Sequence, residues 1–164
     1  MKYTMMGGAL FLQEAVAARI TGVFTGPEKQ ILSPEGTLLL KADILCMGAR
    51  QYRLLDARGN EIALAWPSDA GDEASTGFGW PLQRMPRVDH ARMTLGKAKY
   101  CLTMKNSQNY VLEKPNGEPA ATFFHRGLAG GWDIEARDAL SPEILCGVFV
   151  FCRYMEQENE FFAG

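Results

Sequence analysis

Apolar and polar positions along this chain fall into short alternating runs separated by turn residues, the pattern of β-strands rather than of long amphipathic helices. Gln30–Leu32 leads through Ser33-Pro34-Glu35-Gly36 into Thr37–Ile44. Tyr52–Leu55 leads through Asp56–Asn60 into Glu61–Trp66, and Tyr110–Glu113 leads through Lys114-Pro115-Asn116-Gly117 into Pro119–Phe124. Each is a predicted β-hairpin with Gly36, Gly59 or Gly117 late in the turn, where a positive φ costs glycine little. A fourth hairpin joins Ala91–Leu95 to Lys99–Met104 across Gly96-Lys97-Ala98, and Trp132–Ala136 reads as a last strand. The glycine spacing is irregular, which excludes a propeller or solenoid of fixed period. Residues 9–24 stay open: Leu10–Leu12 suits a strand, whereas Gln13–Arg19 suits a helix. From Pro67 to Val88 no period is sustained, and a loop at about 67–88 is expected.

The C-terminal segment departs from this rhythm. Ser141-Pro142-Glu143 is a helix start: serine caps, proline suits the first helical position, and glutamate suits the positive end of the dipole. The following residues from Ile144 to Met155 are apolar except for Gly147 and Arg153, and they go all round a helical wheel. Such a helix, expected over about residues 141–157, is surrounded by protein. About 16 residues span roughly 24 Å, enough to thread a small barrel and short for a bilayer. A strand over Val148–Phe151 is the competing reading. Glu156, Glu158 and Glu160 are then expected in solvent.

Hairpins around these turns, a late Trp-Asp-Ile strand and a Ser-Pro-Glu-led hydrophobic helix together resemble the tubby C-terminal-like superfamily. Its members include the tubby domain, the LURP-one-related proteins and the phospholipid scramblases. The resemblance covers about residues 30–158 and is one of pattern, without a diagnostic motif. It implies a mainly β fold: a closed antiparallel β-barrel of hairpins with the hydrophobic C-terminal helix through its centre, over a single domain of residues 1–164. The phosphoinositide-binding residues of the tubby domain have no matching motif here onto which they carry over.

Composition narrows function mainly by exclusion. The chain has 164 residues, 47% hydrophobic and 22% charged, which is ordinary for one globular domain. A net charge of −2 gives no global pull towards nucleic acid, so any electrostatic partner must meet a local patch. Cys46, Cys101, Cys146 and Cys152 form no CxxC pair, and with only His90 and His125 no metal centre or cofactor is expected. The cysteines read as reduced, buried thiols of a cytoplasmic protein, peripheral to a membrane if it meets one. The alternative is secretion, since Met5–Leu12 and Ala15-Val16-Ala17 outline a signal peptide, although Lys2 is its only basic residue and Glu14 interrupts it. No apolar run is long enough for a transmembrane helix.

Candidate chemistry is sparse. Asp89-His90 sets an acid beside a base, but strand neighbours face opposite ways and no GxSxG nucleophile motif is present. Gly77-Phe78-Gly79 and Gly127–Gly131 lack the Lys-Ser/Thr of a phosphate loop and read as turns. The most specific polar feature lies at residues 84–105, where Arg84, Arg87, Arg92, Lys97, Lys99 and Lys105 face a single acid, Asp89. On the strand, Lys99, Cys101, Thr103 and Lys105 share one side and Tyr100, Leu102 and Met104 the other. The leading expectation is a non-enzymatic binding or scaffold domain that meets an anionic phospholipid headgroup through Arg92, Lys97, Lys99 and Lys105. The alternative is a protein-interaction module whose loop presents Phe78 and Trp80, with Arg84 and Arg87 beside them. A small hydrolase using His90 or His125 ranks last.

Overall fold

The computed structural model describes residues 1–22, 26–46, 48–68, 88–106 and 108–161. Among them, twelve strands form one closed antiparallel barrel. They are β1 (Lys2–Met6), β2 (Ala9–Leu12), β3 (Ala15–Gly22), β4 (Lys29–Leu32), β5 (Leu38–Leu45) and β6 (Gln51–Asp56). Then follow β7 (Glu61–Ser68), β8 (His90–Leu95), β9 (Ala98–Asn106), β10 (Asn109–Glu113), β11 (Pro119–His125) and β12 (Trp132–Ala136). Every strand pairs with its neighbours in sequence, and β1 closes the wall on β12 through Lys2↔Glu135 and Thr4↔Asp133. Odd-numbered strands run towards an upper end, so Met6, Leu45, Ser68 and Asn106 sit at that rim.

The three similar turns close in the same way. Gly36, Gly59 and Gly117 donate to the carbonyls of Ser33, Asp56 and Lys114, and the amides of the latter three donate in turn to the carbonyls of Thr37, Asn60 and Glu118. All three glycines have φ near +90°, a region that side chains with a Cβ resist. At the second turn the Asp56 carboxylate also accepts from the backbone and side-chain amides of Asn60 and then from the Arg58 amide, and these bonds hold it below the usual carboxylate range.

A twelve-stranded barrel is wider than wall side chains alone can fill. Here the lumen holds helix α1 (Pro142–Phe161), which runs through the centre. Leu145, Cys146, Val148, Val150, Phe151, Cys152, Tyr154 and Met155 are buried on all sides of it. The wall makes room with small inward residues, among them Ala18, Ala42, Ala63, Ala65, Ala91 and Ala121. Closest approach is at Gly147, where an added Cβ would lie 2.4 Å from Leu54 of β6.

Several expectations change. Residues 9–22 are two strands with no helix, because β3 pairs with both β2 and β4 and its register puts Ala18 inward. The apolar stretch that outlined a signal peptide is thus part of the wall, with Tyr3, Met5 and Leu10 in the core. Pro67 and Ser68 belong to β7 rather than to the long loop, pairing with Ala91 and His90. The helix runs four residues further than its apolar face suggested, and Glu158 is not in solvent but buried, bound by Tyr52 and Arg50. Cys146 and Cys152 are buried thiols as expected, whereas Cys46 is exposed and Cys101 half-buried.

Candidate functional site

Strands β7, β8 and β9 form the wall that carries the charge cluster. Their register pairs Trp66 with Arg92, Arg92 with Cys101 and Thr94 with Lys99. Side chains alternate across a strand, so Met93 and Leu102 point into the core while Arg92 and Lys99 point out and are exposed. Trp66, Arg92, Thr94 and Lys99 line an open groove of about 360 Å³ on this face. Lys97 lies in the exposed turn just below it. Among the described residues no carboxylate pairs with Arg92, Lys97 or Lys99.

Lys105 does not join them. Its amine is 3.2 Å from the Glu113 carboxylate of β10, which takes up its charge. Phe78, Trp80, Arg84 and Arg87 lie outside the described residues.

Further up the same face is a constellation that the sequence did not disclose. Ser68 Oγ lies 2.7 Å from His90 Nε2, and His90 Nδ1 lies 2.7 Å from Asp89 Oδ1. The expectation that Asp89 and His90 face opposite ways fails because Asp89 precedes β8. Its amide donates to the Ser68 carbonyl and its carbonyl accepts from the Met104 amide, and its carboxylate lies against the ring. A carboxylate only accepts, so Nδ1 carries a proton, and in the neutral ring Nε2 is then the acceptor for the serine hydroxyl. Ser68 is exposed and His90 is 25% exposed. Ser68 was missed because it is the final residue of β7, and only strand pairing brings it to a histidine 22 positions later.

His125 is the last residue of β11, as expected of a strand-end histidine. Its Nδ1 accepts from the Gly127 amide at 3.0 Å, and its ring meets the edge of Trp132 at 5.0 Å between centroids. These contacts use it in the wall's upper rim, beside an open cavity of about 470 Å³ that Phe149 and Arg153 of the helix also line. Among the described residues, no group of three or more His, Cys, Asp and Glu side chains is arranged to hold a metal ion. No described helix is long and apolar enough to cross a membrane.

No family model matches this chain, and no curated protein matches it. Among solved structures it is similar to the X-ray structure of a protein from Arabidopsis thaliana, at 15% identity and a TM-score of 0.40. That match covers 93% of this chain and 90% of the other.

Proposed function

We propose that this chain is a binding domain of the tubby C-terminal-like kind, which meets an anionic phospholipid headgroup on the outer wall of β8 and β9. One observation carries the reading: Arg92 and Lys99 line a single groove with Lys97 in the exposed turn below it, and none of the three has a carboxylate partner among the described residues. Cations left unpaired on a folded surface keep their full charge for a partner. Each near an anionic membrane contributes about 1 kcal/mol, so three give weak, salt-sensitive attachment. Trp66 supplies the amphipathic ring that suits a headgroup boundary. The site is drawn more narrowly than the sequence suggested, since Lys105 spends its charge on Glu113. A cytoplasmic protein held peripherally at a membrane would use such a face.

Co-sedimentation with phosphatidylserine-containing vesicles tests it. Binding is expected at low salt, to fall at high salt, and to be lost in the Lys97→Glu, Lys99→Glu double variant, while Lys105→Glu changes it little. Equal sedimentation of the double variant and the parent protein would refute the headgroup reading.

A further inference from the structure

We propose that Ser68 is an activated nucleophile that accepts the acyl group of anionic carboxylic esters, with His90 as its general base and Asp89 as a positioning residue. This goes beyond binding. The nucleophile rests on the two 2.7 Å contacts of the Ser68–His90–Asp89 chain. They have the order such chemistry needs: hydroxyl to ring nitrogen, then the other ring nitrogen to a carboxylate that fixes the tautomer. The charge of the substrate rests on the groove reading above.

The strand pairing supports both parts together. Ser68↔His90 and Trp66↔Arg92 are two pairs apart on the same outer face, a distance of about 7 Å. An ester whose carboxylate or phosphate sits against Arg92, with its apolar part along Trp66, brings its carbonyl to Ser68 Oγ. The hydroxyl is exposed and reachable from solvent.

The step balances with water alone. His90 Nε2 takes the Ser68 Oγ proton as the oxygen adds to the ester carbonyl carbon. The tetrahedral intermediate collapses, the ester C–O bond breaks, and the departing alkoxide takes the proton from Nε2. Acyl-Ser68 and an alcohol result. A water molecule, deprotonated by the same nitrogen, then adds to the acyl carbonyl and releases a carboxylic acid and free Ser68. Arg92 touches the substrate, whereas Asp89 acts through the ring of His90.

The test labels the full chain with a neutral alkyl fluorophosphonate and maps the adduct by mass spectrometry. A single adduct on Ser68 is expected, absent in Ser68→Ala and slowed about 100-fold in His90→Ala. His125→Ala should leave the rate unchanged. Asp89→Asn should slow labelling and Asp89→Glu restore part of it, with thermal midpoints like that of the parent protein. No adduct on Ser68, or equal labelling of His90→Ala, overturns the proposal. For the substrate class, nitrophenyl hemisuccinate is compared with nitrophenyl acetate: the anionic ester should react faster, and Arg92→Ala should remove the difference. Equal rates in the parent protein overturn the anionic preference. Vesicle binding without a Ser68 adduct defeats the nucleophile alone, and a Ser68 adduct without vesicle binding defeats the headgroup reading alone.

Discussion

Glu158 shows how far one side chain can depart from its neighbours in sequence. In a tail that also contains Glu156 and Glu160 it resembles a solvated charge, yet it is 8% exposed. Tyr52 donates to its Oε2 at 2.5 Å and Arg50 bonds Oε1. Burial, and next the bond to Glu158, push the Tyr52 phenol far above its ordinary range. Glu158→Ala strands a buried hydroxyl and unpairs Arg50, so urea denaturation should show a loss of about 1–3 kcal/mol. Glu118→Ala, at an exposed turn, should change stability by less than about 0.5 kcal/mol. The thiols offer a second test at this scale. Burial, then the charge of Glu143, pushes Cys146 up to about 12, and burial lifts Cys152 as well. A raised folded value means the native state keeps protons that the unfolded chain sheds first. This stabilisation is complete below about pH 9 and is lost as pH rises towards about 12. The urea midpoint should therefore fall between about pH 8 and about pH 10.5, and fall less in Cys146→Ala. At neutral pH a thiol reagent should modify Cys46 quickly and reach Cys146 and Cys152 only in denaturant.

At the scale of the element, the central helix and the wall are fitted to each other at one glycine. Gly147 sits in the second turn of α1, inside the helix where glycine is a poor helix former, so its place needs a packing reason. The reason is Leu54, whose side-chain carbons would lie 2.4, 2.7 and 3.1 Å from an added Cβ. Gly147→Ala is expected to destabilise by about 1–3 kcal/mol despite its better helix propensity. Against a Leu54→Ala background the same change should cost less, and a double-mutant cycle measures the difference. Phe149 packs on Trp132 at 5.2 Å between centroids, and Phe149→Asp should abolish the folded state, seen as loss of near-ultraviolet circular dichroism. A folded Phe149→Asp protein would be incompatible with a helix buried in the lumen.

Across the whole molecule, closure is what distinguishes this fold from a curled sheet. β1 and β12 meet through four paired residues at the two ends of the barrel's strand order, and no described strand is left as an edge. Removing residues 1–12 takes out β1 and β2 and leaves β12 and β3 with unpaired backbone. Such edges recruit other chains. The truncated protein should elute as aggregate in size-exclusion chromatography, whereas the full chain elutes without it. The polar face belongs to this scale too: Ser68, His90, Trp66, Arg92 and Lys99 lie on one outer wall because three strands share a register.

The sequence by itself determined the turns, the four later hairpins and the start of the helix. Each depends on events within about five residues: a glycine at positive φ, a hydrogen bond from turn start to turn end, a proline at the first helical position. All-round apolarity also told that the helix is enclosed, since water would otherwise meet it on some side. Tertiary structure alone decided the rest. Val16, Ala17 and Ala18 suit helix and strand equally, and only pairing with β2 and β4 made them strand. Glu158 became an acceptor because Tyr52 reaches it from the wall 106 positions away. Lys105 left the unpaired basic cluster because Glu113, on the neighbouring strand, takes its charge. Asp89 and His90 are neighbours in sequence, but Ser68 carries no local signature, and the register of β7 on β8 is what brings its hydroxyl to the imidazole.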